Sequence, residues 1–487
     1  MNDGKVRIKR LPTGVPGLDA ALGGGLPEFS FNLIVGAPGS GKTTLAHQIM
    51  FAQATEQRPA LYFTVLGEPP LKMLRYQQQF DFFDMHKVGR AVHFINLGDE
   101  IATGDLGLVL ARISREVEVH TPGLIFVDSF RSVILASQTV GGSPLTLQQF
   151  VQQLGLLLTG WQATTFLLGE YLDQAEPNPV FTIADGLIWL RQSVERNSVV
   201  RKMEVMKMRG QATPPGLHTF RIGSRGLDVF CAPQLTRVIP PDTRESERVS
   251  MGVEGLDEML GGGLPRGFSV LVAGPSGSGK SLLAAAFLVE GARAGEAGVI
   301  AAFEQRPNRS RGRQISALID SGRLGVVDTT PPGISVDEIA TLIVAEVHRL
   351  KATRVVIDSL SGFELALAPT FRADFRESLA RLVVALAGTG VTVLMTSELE
   401  DRYDELRFSP YGTAFLTDAI IVQRYIEVES RLRRVMAVVK LRASAHSNEL
   451  RLFSIDDDGI RLGSMLEVFE GLLGGRPRRR GKEEIQP

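Results

Sequence analysis

The chain has 487 residues, is 44% apolar and 22% charged, and carries a formal net charge of −1 at pH 7. This size and apolar share allow about three domains with large buried cores, and the near-neutral charge excludes a global basic field for nucleic acid or a membrane surface. One cysteine, Cys231, excludes an internal disulfide framework and a cysteine-rich zinc site, and fits a reducing compartment. Met1-Asn2-Asp3-Gly4-Lys5 lacks the apolar core of a signal peptide and no run reaches transmembrane length. The expectation is a soluble, cytoplasmic protein.

The first strong element is an apolar strand, Phe31 to Val35, leading into Gly36-Ala37-Pro38-Gly39-Ser40-Gly41-Lys42-Thr43 and a helix from Thr44 onward. Strand, glycine-rich loop with Gly-Lys-Thr, then helix is the full context of a phosphate-binding P-loop. The glycines let backbone N–H groups turn inward around phosphates, where side chains would block them. Lys42 supplies a positive charge, Thr43 a hydroxyl for Mg²⁺, and the helix N-terminus its dipole. A second β-rich run, Ala60 to Val65, precedes a helical one, Leu71 to Phe80. Leu106 to His120 has helical spacing and leads into the strand ending at Asp128; Leu145 to Trp161 is helical and precedes a strand at Thr164 to Leu168. Apolar strands alternating with amphipathic helices predict a parallel sheet covered on both faces. Beyond Asp185, the runs Leu187 to Arg191, Val199 to Met208 and His218 to Phe230 read as antiparallel strands.

The P-loop then recurs 238 positions later as Gly274-Pro275-Ser276-Gly277-Ser278-Gly279-Lys280-Ser281, followed by Leu282. At the same offset Thr13-Gly-Val-Pro-Gly-Leu-Asp19 answers Met251-Gly-Val-Glu-Gly-Leu-Asp257, and Leu22-Gly-Gly-Gly-Leu-Pro27 answers Leu260-Gly-Gly-Gly-Leu-Pro265. A period this long duplicates a whole domain. The reading is a first ATPase domain at 1–235, a polar, proline-bearing linker at 236–248, a second domain at 249–465, and a basic, disordered tail at 466–487. In the second copy the strands are expected at Phe268 to Ala273, Val299 to Phe303, Arg354 to Asp358 and Val391 to Thr396, with a helix at Phe371 to Ala387 and antiparallel structure over Ala419 to Leu441.

Asp128 and Asp358 each end an apolar strand downstream of a P-loop, where a P-loop NTPase keeps the carboxylate that orients Mg²⁺ through water; a helix N-cap is the plainer alternative. Hydrolysis also needs a group to orient or deprotonate water. Glu304 follows the strand Val299 to Phe303, and the matching segment of the first copy reads Leu66-Gly67-Glu68-Pro69.

Two halves with Gly-Leu-Asp before each P-loop and Lys-x-Arg late in each copy resemble the KaiC family, that of the cyanobacterial clock ATPase and autokinase with its many non-clock relatives. The resemblance runs from about Leu11 to about Leu462. It implies an α/β fold of two tandem RecA-like P-loop NTPase domains, each a mostly parallel sheet with helices on both faces and antiparallel C-terminal strands. It implies ATP and Mg²⁺ as cofactors, the metal held by Thr43 and Asp128 in one copy and by Ser281, Asp358 and Glu304 in the other. It also implies a homo-hexamer with ATP at subunit interfaces. There Lys207-Met208-Arg209 and Lys440-Leu441-Arg442, with Ser444 and His446, would reach the neighbour's nucleotide, and Arg201 and Arg434 match another boundary arginine. A cation delivered this way stabilises transition-state charge.

The family places two glutamates after the second strand, the first as base. This chain has Glu304-Gln305 in the second copy and Gly67-Glu68 in the first, so slow turnover is expected in the first. The family's phosphorylated hydroxyl pair is here Ala414-Phe415, which excludes phosphorylation at that pair and leaves Thr413 and Thr417 as non-standard positions. The functional expectation is an ATP-hydrolysing ring acting as a nucleotide-dependent signalling or timing scaffold, with KaiB-like partners. The alternative from another class is a RecA/RadA-like DNA-binding protein. Against it, the loop after Asp128 carries one cation, Arg131, and that after Asp358 none before Arg372, so no nucleic acid is expected.

Overall fold

Strands made of unbroken apolar runs must be covered on both faces, and the architecture follows from this. In a computed structural model of the chain, the described residues are 8–65, 70–130, 132–133, 147–171, 179–195, 198–231, 247–303, 313–329, 334–367, 369–372, 375–399, 415–428, 430–457, 459–465, 469–470 and 478–479. The chain separates into two compact units, Met1–Cys231 and Ala232–Pro487.

In the first unit a short pair, β1 (Arg10–Leu11) with β2 (Leu26–Pro27), precedes β3 (Phe31–Gly36), β4 (Ala60–Thr64), β5 (Val92–Asn96), β6 (Leu124–Asp128), β7 (Thr164–Glu170), β8 (Gly186–Glu195), β9 (Ser198–Met208), β10 (Leu217–Gly223) and β11 (Gly226–Phe230). The last nine form one sheet in the order β11-β10-β9-β8-β3-β7-β6-β4-β5. The strands from β8 to β5 run parallel, and β9, β10 and β11 extend the sheet antiparallel. The second unit repeats this with β12 (Arg248–Val249), β13 (Leu264–Pro265), β14 (Ser269–Gly274), β15 (Gly298–Ala302), β16 (Leu324–Val327), β17 (Arg354–Asp358), β18 (Thr392–Glu398), β19 (Ala419–Val428), β20 (Arg431–Leu441), β21 (Arg451–Asp456) and β22 (Gly459–Met465). Its sheet order, β22-β21-β20-β19-β14-β18-β17-β15-β16, matches the first position by position.

All six residues of β3 and of β14 are buried. Alternate side chains face opposite layers: Leu33 and Val35 join the core under the helices Leu106–His120 and Leu147–Gly160, while Ile34 joins the core on the side of the helix Lys42–Gln53. The expected fold class is therefore the observed one. Two parallel strands escaped the sequence reading, β5 and β16, as did the helix Val336–Leu350. That helix carries a capping box, in which Ser335 Oγ accepts from Glu338 N at 3.1 Å and the Glu338 carboxylate reaches back to Ser335 N. Glu247 and Arg248, read as the end of a linker, belong to the second unit's structure: Arg248 pairs with Pro265. Within 466–487, where composition suggested disorder, Phe469–Glu470 and Arg478–Arg479 form a two-residue antiparallel pair.

The two units brace the entry to the P-loop strand with inverted charges. In the first, Glu28 lies 3.6 Å from Lys9 and 3.5 Å from Arg58. At the positions 238 further on, Arg266 lies 3.0 Å from Glu247 and 2.5 Å from Glu296. The second version reaches deeper, because Glu296 also accepts from buried Arg354 at 2.6 Å, whose guanidinium stacks over Phe287 and donates to Ser250 O and Phe287 O. Removing one partner of a buried ion pair is far costlier than removing one at the surface. Glu296→Gln is thus expected to destabilise the second unit by about 3 kcal/mol and Glu28→Gln the first by less than about 1 kcal/mol, as read from urea denaturation of each full-length variant.

Candidate functional site

Both P-loops leave the C-terminal end of a central strand flanked by parallel neighbours, β7 and β8 for β3, β18 and β19 for β14. The chain departs toward one side of β3 and returns on the other, the switch point where open α/β sheets bind ligands. Gly41 (φ 103°) and Gly279 (φ 110°) sit in the left-handed region just before the helices that begin at Lys42 and Lys280. A Cβ at Gly41 would lie 2.7 Å from Ile222 Cδ1, and one at Gly279 would lie 2.9 Å from Ile455 Cδ1. The antiparallel extension thus presses on the loop where only glycine fits.

The loop lysines are poised identically. Lys42 Nζ donates to Gly36 O (3.0 Å) and Ala37 O (2.9 Å); Lys280 Nζ donates to Gly274 O (2.8 Å) and Pro275 O (2.7 Å). Burial pulls both ammonium pKa values down, opposed by Glu170 and Asp128 at the first site and by Glu398 and Asp358 at the second. Thr43 Oγ1 donates to Asp128 Oδ2 at 2.9 Å, and Tyr62 donates to the same oxygen at 2.7 Å. Burial raises the Asp128 pKa, against the pull of the Tyr62 and Thr43 hydroxyls and of Lys42. Asp358 instead accepts from the Thr396 hydroxyl, and no hydrogen bond joins Ser281 to it among the described residues. Asp358 is not an N-cap, since Ser359 caps the helix Leu360–Ala366 by accepting from Gly362 N, and the Asp128 carboxylate is engaged by the Thr43 and Tyr62 hydroxyls. The peptide bonds Asp128–Ser129 and Asp358–Ser359 are both cis. Around the second loop lies a cavity of about 350 Å³ lined by Gly277, Lys280, Ser281, Asp358, Glu398 and exposed Leu282, among others.

Gly36, Gly39, Ser40, Gly41, Lys42, Thr43 and Asp128 therefore come together, as do Gly274, Gly277, Ser278, Gly279, Lys280, Ser281 and Asp358. Thr44 is half-buried in the first helical turn. Ser278 Oγ donates to Gln423 Oε1 at 3.1 Å, while the buried Ser40 hydroxyl has no partner among the described residues. The hydroxyl and carboxylate are oxygen donors that fit Mg²⁺ held jointly with phosphates, and the loop lysine is a cation that fits the phosphates themselves. No group of three or more His, Cys, Asp or Glu among the described residues could hold a metal unaided.

The late Lys-x-Arg segments lie elsewhere. Lys207 pairs with Leu187 at the start of β8, where Gly186 is level with Asn32. Its Nζ donates to Thr182 O, and Arg209 pairs with Asp185, which also accepts from Phe31 N. The second unit repeats this: Lys440 donates to Thr417 O, Arg442 pairs with Asp418, and Asp418 accepts from Ser269 N. These cations sit at the opposite end of the central strand from its own P-loop, about 16 Å away at 3.3 Å per residue. Met208 and Leu441 point into the cores. Ser444 accepts from Arg248 Nη2 at 2.6 Å, His446 Nδ1 lies 3.1 Å from Ser447 O, and Arg434 stacks over Tyr425.

Glu68, Gly67, Glu304, Gln305, Thr413 and Ala414 lie outside the described residues. Thr417 is fully buried, so its hydroxyl is closed to a phosphoryl donor. Sequence reasoning missed Tyr62, Thr396, Glu170 and Glu398. The two glutamates end β7 and β18 directly opposite Gly36 and Gly274. A glutamate closing an apolar strand was visible in both copies, but the sheet order alone puts it beside the loop.

The sequence profile of the KaiC ATPase family matches residues 11–234 and 249–467, and so takes in both P-loops and both strand-end aspartates. The chain belongs to the KaiC ATPase family. Its relatives in that family include the circadian clock oscillator protein KaiC of Picosynechococcus sp., 27% identical over 99% of this chain and 95% of the relative. The circadian clock protein KaiC3 of Synechocystis sp. is 27% identical over 98% and 96%, respectively. The circadian clock oscillator protein KaiC of Prochlorococcus marinus is 26% identical over 97% and 96%. The two units are accordingly KaiC-type, RecA-like ATPase domains. Among the described residues no helix is long and apolar enough to cross a membrane.

One buried group of the first KaiC-type domain titrates in an accessible range. The His47 ring packs tilted against Tyr62 with centroids 4.5 Å apart, and burial lowers its pKa to about 4, with Gln77 opposing. The unfolded imidazole, near 6.5, binds a proton that the folded one refuses between those values. The resulting stability is complete above pH 6.5 and is lost as pH falls toward 4, by up to about 3 kcal/mol. His47→Leu is expected to flatten this slope in denaturation curves taken from pH 7 to pH 4.5.

Proposed function

We propose that this chain is a Mg²⁺-dependent ATPase that works as a cytoplasmic homo-hexameric ring with ATP at its subunit interfaces, and that its nucleotide state sets its affinity for a protein partner. One observation carries the reading. Each domain gathers lysine, hydroxyl and aspartate at one end of its central strand and displays Lys207 and Arg209, or Lys440 and Arg442, at the other. Those cations cannot serve their own P-loop, whereas a neighbouring copy could receive them.

In this reading Lys42 and Lys280 exchange their carbonyl partners for phosphate oxygens. Thr43 and Ser281 offer hydroxyls, and Asp128 and Asp358 orient metal-bound water. Mg²⁺, when bound, neutralises charge on the phosphates. Glu304 takes the proton of the attacking water at the second site, while Glu68 acts alone at the first, which turns over slowly. Autokinase activity, if present, uses Thr413 rather than buried Thr417. A signalling or timing role rests on the names of the clock relatives, and a KaiB-like partner on membership of the KaiC family.

Two measurements test this. ATPase activity should be lost in Lys280→Ala and in a Lys440→Ala/Arg442→Ala chain, and should return in part when the two are mixed, because some interfaces then pair an intact loop with intact cations. No recovery, together with a monomeric mass by light scattering in ATP and Mg²⁺, sinks the ring. Glu304→Gln should remove most of the steady-state turnover and Glu68→Gln little; the reverse ranking would overturn the assignment of hydrolysis to the second site.

A further inference from the structure

The two domains hold equivalent aspartates from opposite sides. Asp128 ends β6, between β4 and β7, and Asp358 ends β17, between β15 and β18. At the first site the added hydroxyl comes from Tyr62 on β4, and at the second from Thr396 on β18. The counterpart of Tyr62 is Ile300, which holds the same place in β15, two residues before the partner of the aspartate. The counterpart of Thr396 is Leu168, directly opposite Asp128. Each aspartate thus has one hydroxyl anchor on a flanking strand, and the other flanking strand is apolar there.

Tyr62 is built in rather than merely present. It is fully buried, and its ring lies 4.5 Å from His47, 5.5 Å from Phe94 and 5.9 Å from Phe126. The second domain has Ala285 at the position of His47. A ring locked on several sides presents its hydroxyl at a fixed point, so the carboxylate must come to it. With Thr43 also donating to Oδ2, the two lone pairs of that oxygen are filled and Oδ1 is left for other work.

We propose that Tyr62 is a positioning residue of the first nucleotide site, its hydroxyl fixing Asp128 so that Oδ1 is presented for metal-dependent nucleotide binding. Thr396 fixes Asp358 from the other flank by donating to Oδ1, which leaves Oδ2 to be presented there. The proposal rests on the reading that Asp128 serves the metal.

The test uses the full-length chain carrying Lys280→Ala, so that only the first site binds, and a fluorescent, slowly hydrolysed ATP analogue. The readout is the Mg²⁺ concentration at half-maximal binding. Tyr62→Phe keeps the ring and should raise it about tenfold, the scale of a hydrogen bond to a charged group, while affinity in EDTA stays unchanged. Adding Leu168→Thr, which copies the anchor of the second domain, should bring the requirement back to within about threefold of the parent. An unchanged Mg²⁺ requirement in Tyr62→Phe overturns the proposal, as does an equal loss of affinity in EDTA, which marks a purely structural tyrosine. A double variant no better than the single one overturns it too. Asp128→Asn separates the two layers. If it leaves the Mg²⁺ requirement unchanged, the metal reading of Asp128 fails; if it raises the requirement and Tyr62→Phe does not, only the role of Tyr62 fails.

Discussion

Everything at the two sites depends on a central strand with no free edge. β3 and β14 are hydrogen-bonded on both sides to parallel neighbours and buried on both faces. A strand so confined can release its chain only at its end, and there the sequence supplies glycines. The loop therefore turns back on its own carbonyls, and the lysine that follows settles onto the first two of them. The same confinement places the aspartate of β6 or β17 two strands away, two residues short of the loop glycine, and a glutamate immediately alongside that glycine. It also fixes Lys207 and Arg209 at the far end, because β8 must run parallel to β3 before β9 can return beside it.

Within that frame the duplicated domains have diverged by exchanging partners rather than by moving backbone. Strand order, the left-handed loop glycines (Gly39 and Gly41, Gly277 and Gly279), lysine contacts and cis bonds after the aspartates coincide. The divergence is in side chains: Tyr62 against Ile300, Leu168 against Thr396, His47 against Ala285. A buried carboxylate requires donors, but the frame does not dictate which flank supplies them. The two sites can therefore drift in nucleotide chemistry while sharing one fold.

How much of this could be read in the sequence follows the range of each interaction. The P-loops were legible because strand, loop and helix are contiguous, and so was the duplication. Asp128 and Asp358 were legible because each ends an apolar run that only a buried strand explains. The helix Leu106–His120 was recovered to the residue, since its apolar spacing is unbroken. β5 and β16 were not found: Val92-His-Phe-Ile-Asn96 is short and interrupted by polar His93 and Asn96, as expected at the sheet edge, and Leu324-Gly-Val-Val327 is shorter still. Tyr62 and Thr396 were invisible for another reason. Each looks like an ordinary strand residue, and only the pairing of β4 with β6, or of β17 with β18, brings it to a carboxylate dozens of positions away.

The inverted charges beside the P-loop strands bear on how a chain with two near-copies sorts its own segments. Tandem domains of similar sequence are prone to exchanging equivalent pieces as they fold. The hairpins of β1 with β2 and of β12 with β13 are close matches, built on the same Leu-Gly-Gly-Gly-Leu-Pro run. Were the leading segment of one domain to dock in the place of the other, Lys9 would face Arg266, and Glu247 would face Glu28. Each wrong pairing sets like charges where the native one has opposite charges. The polarity of three side chains thereby acts as an address label, and it penalises misassembly without altering the backbone that both copies need.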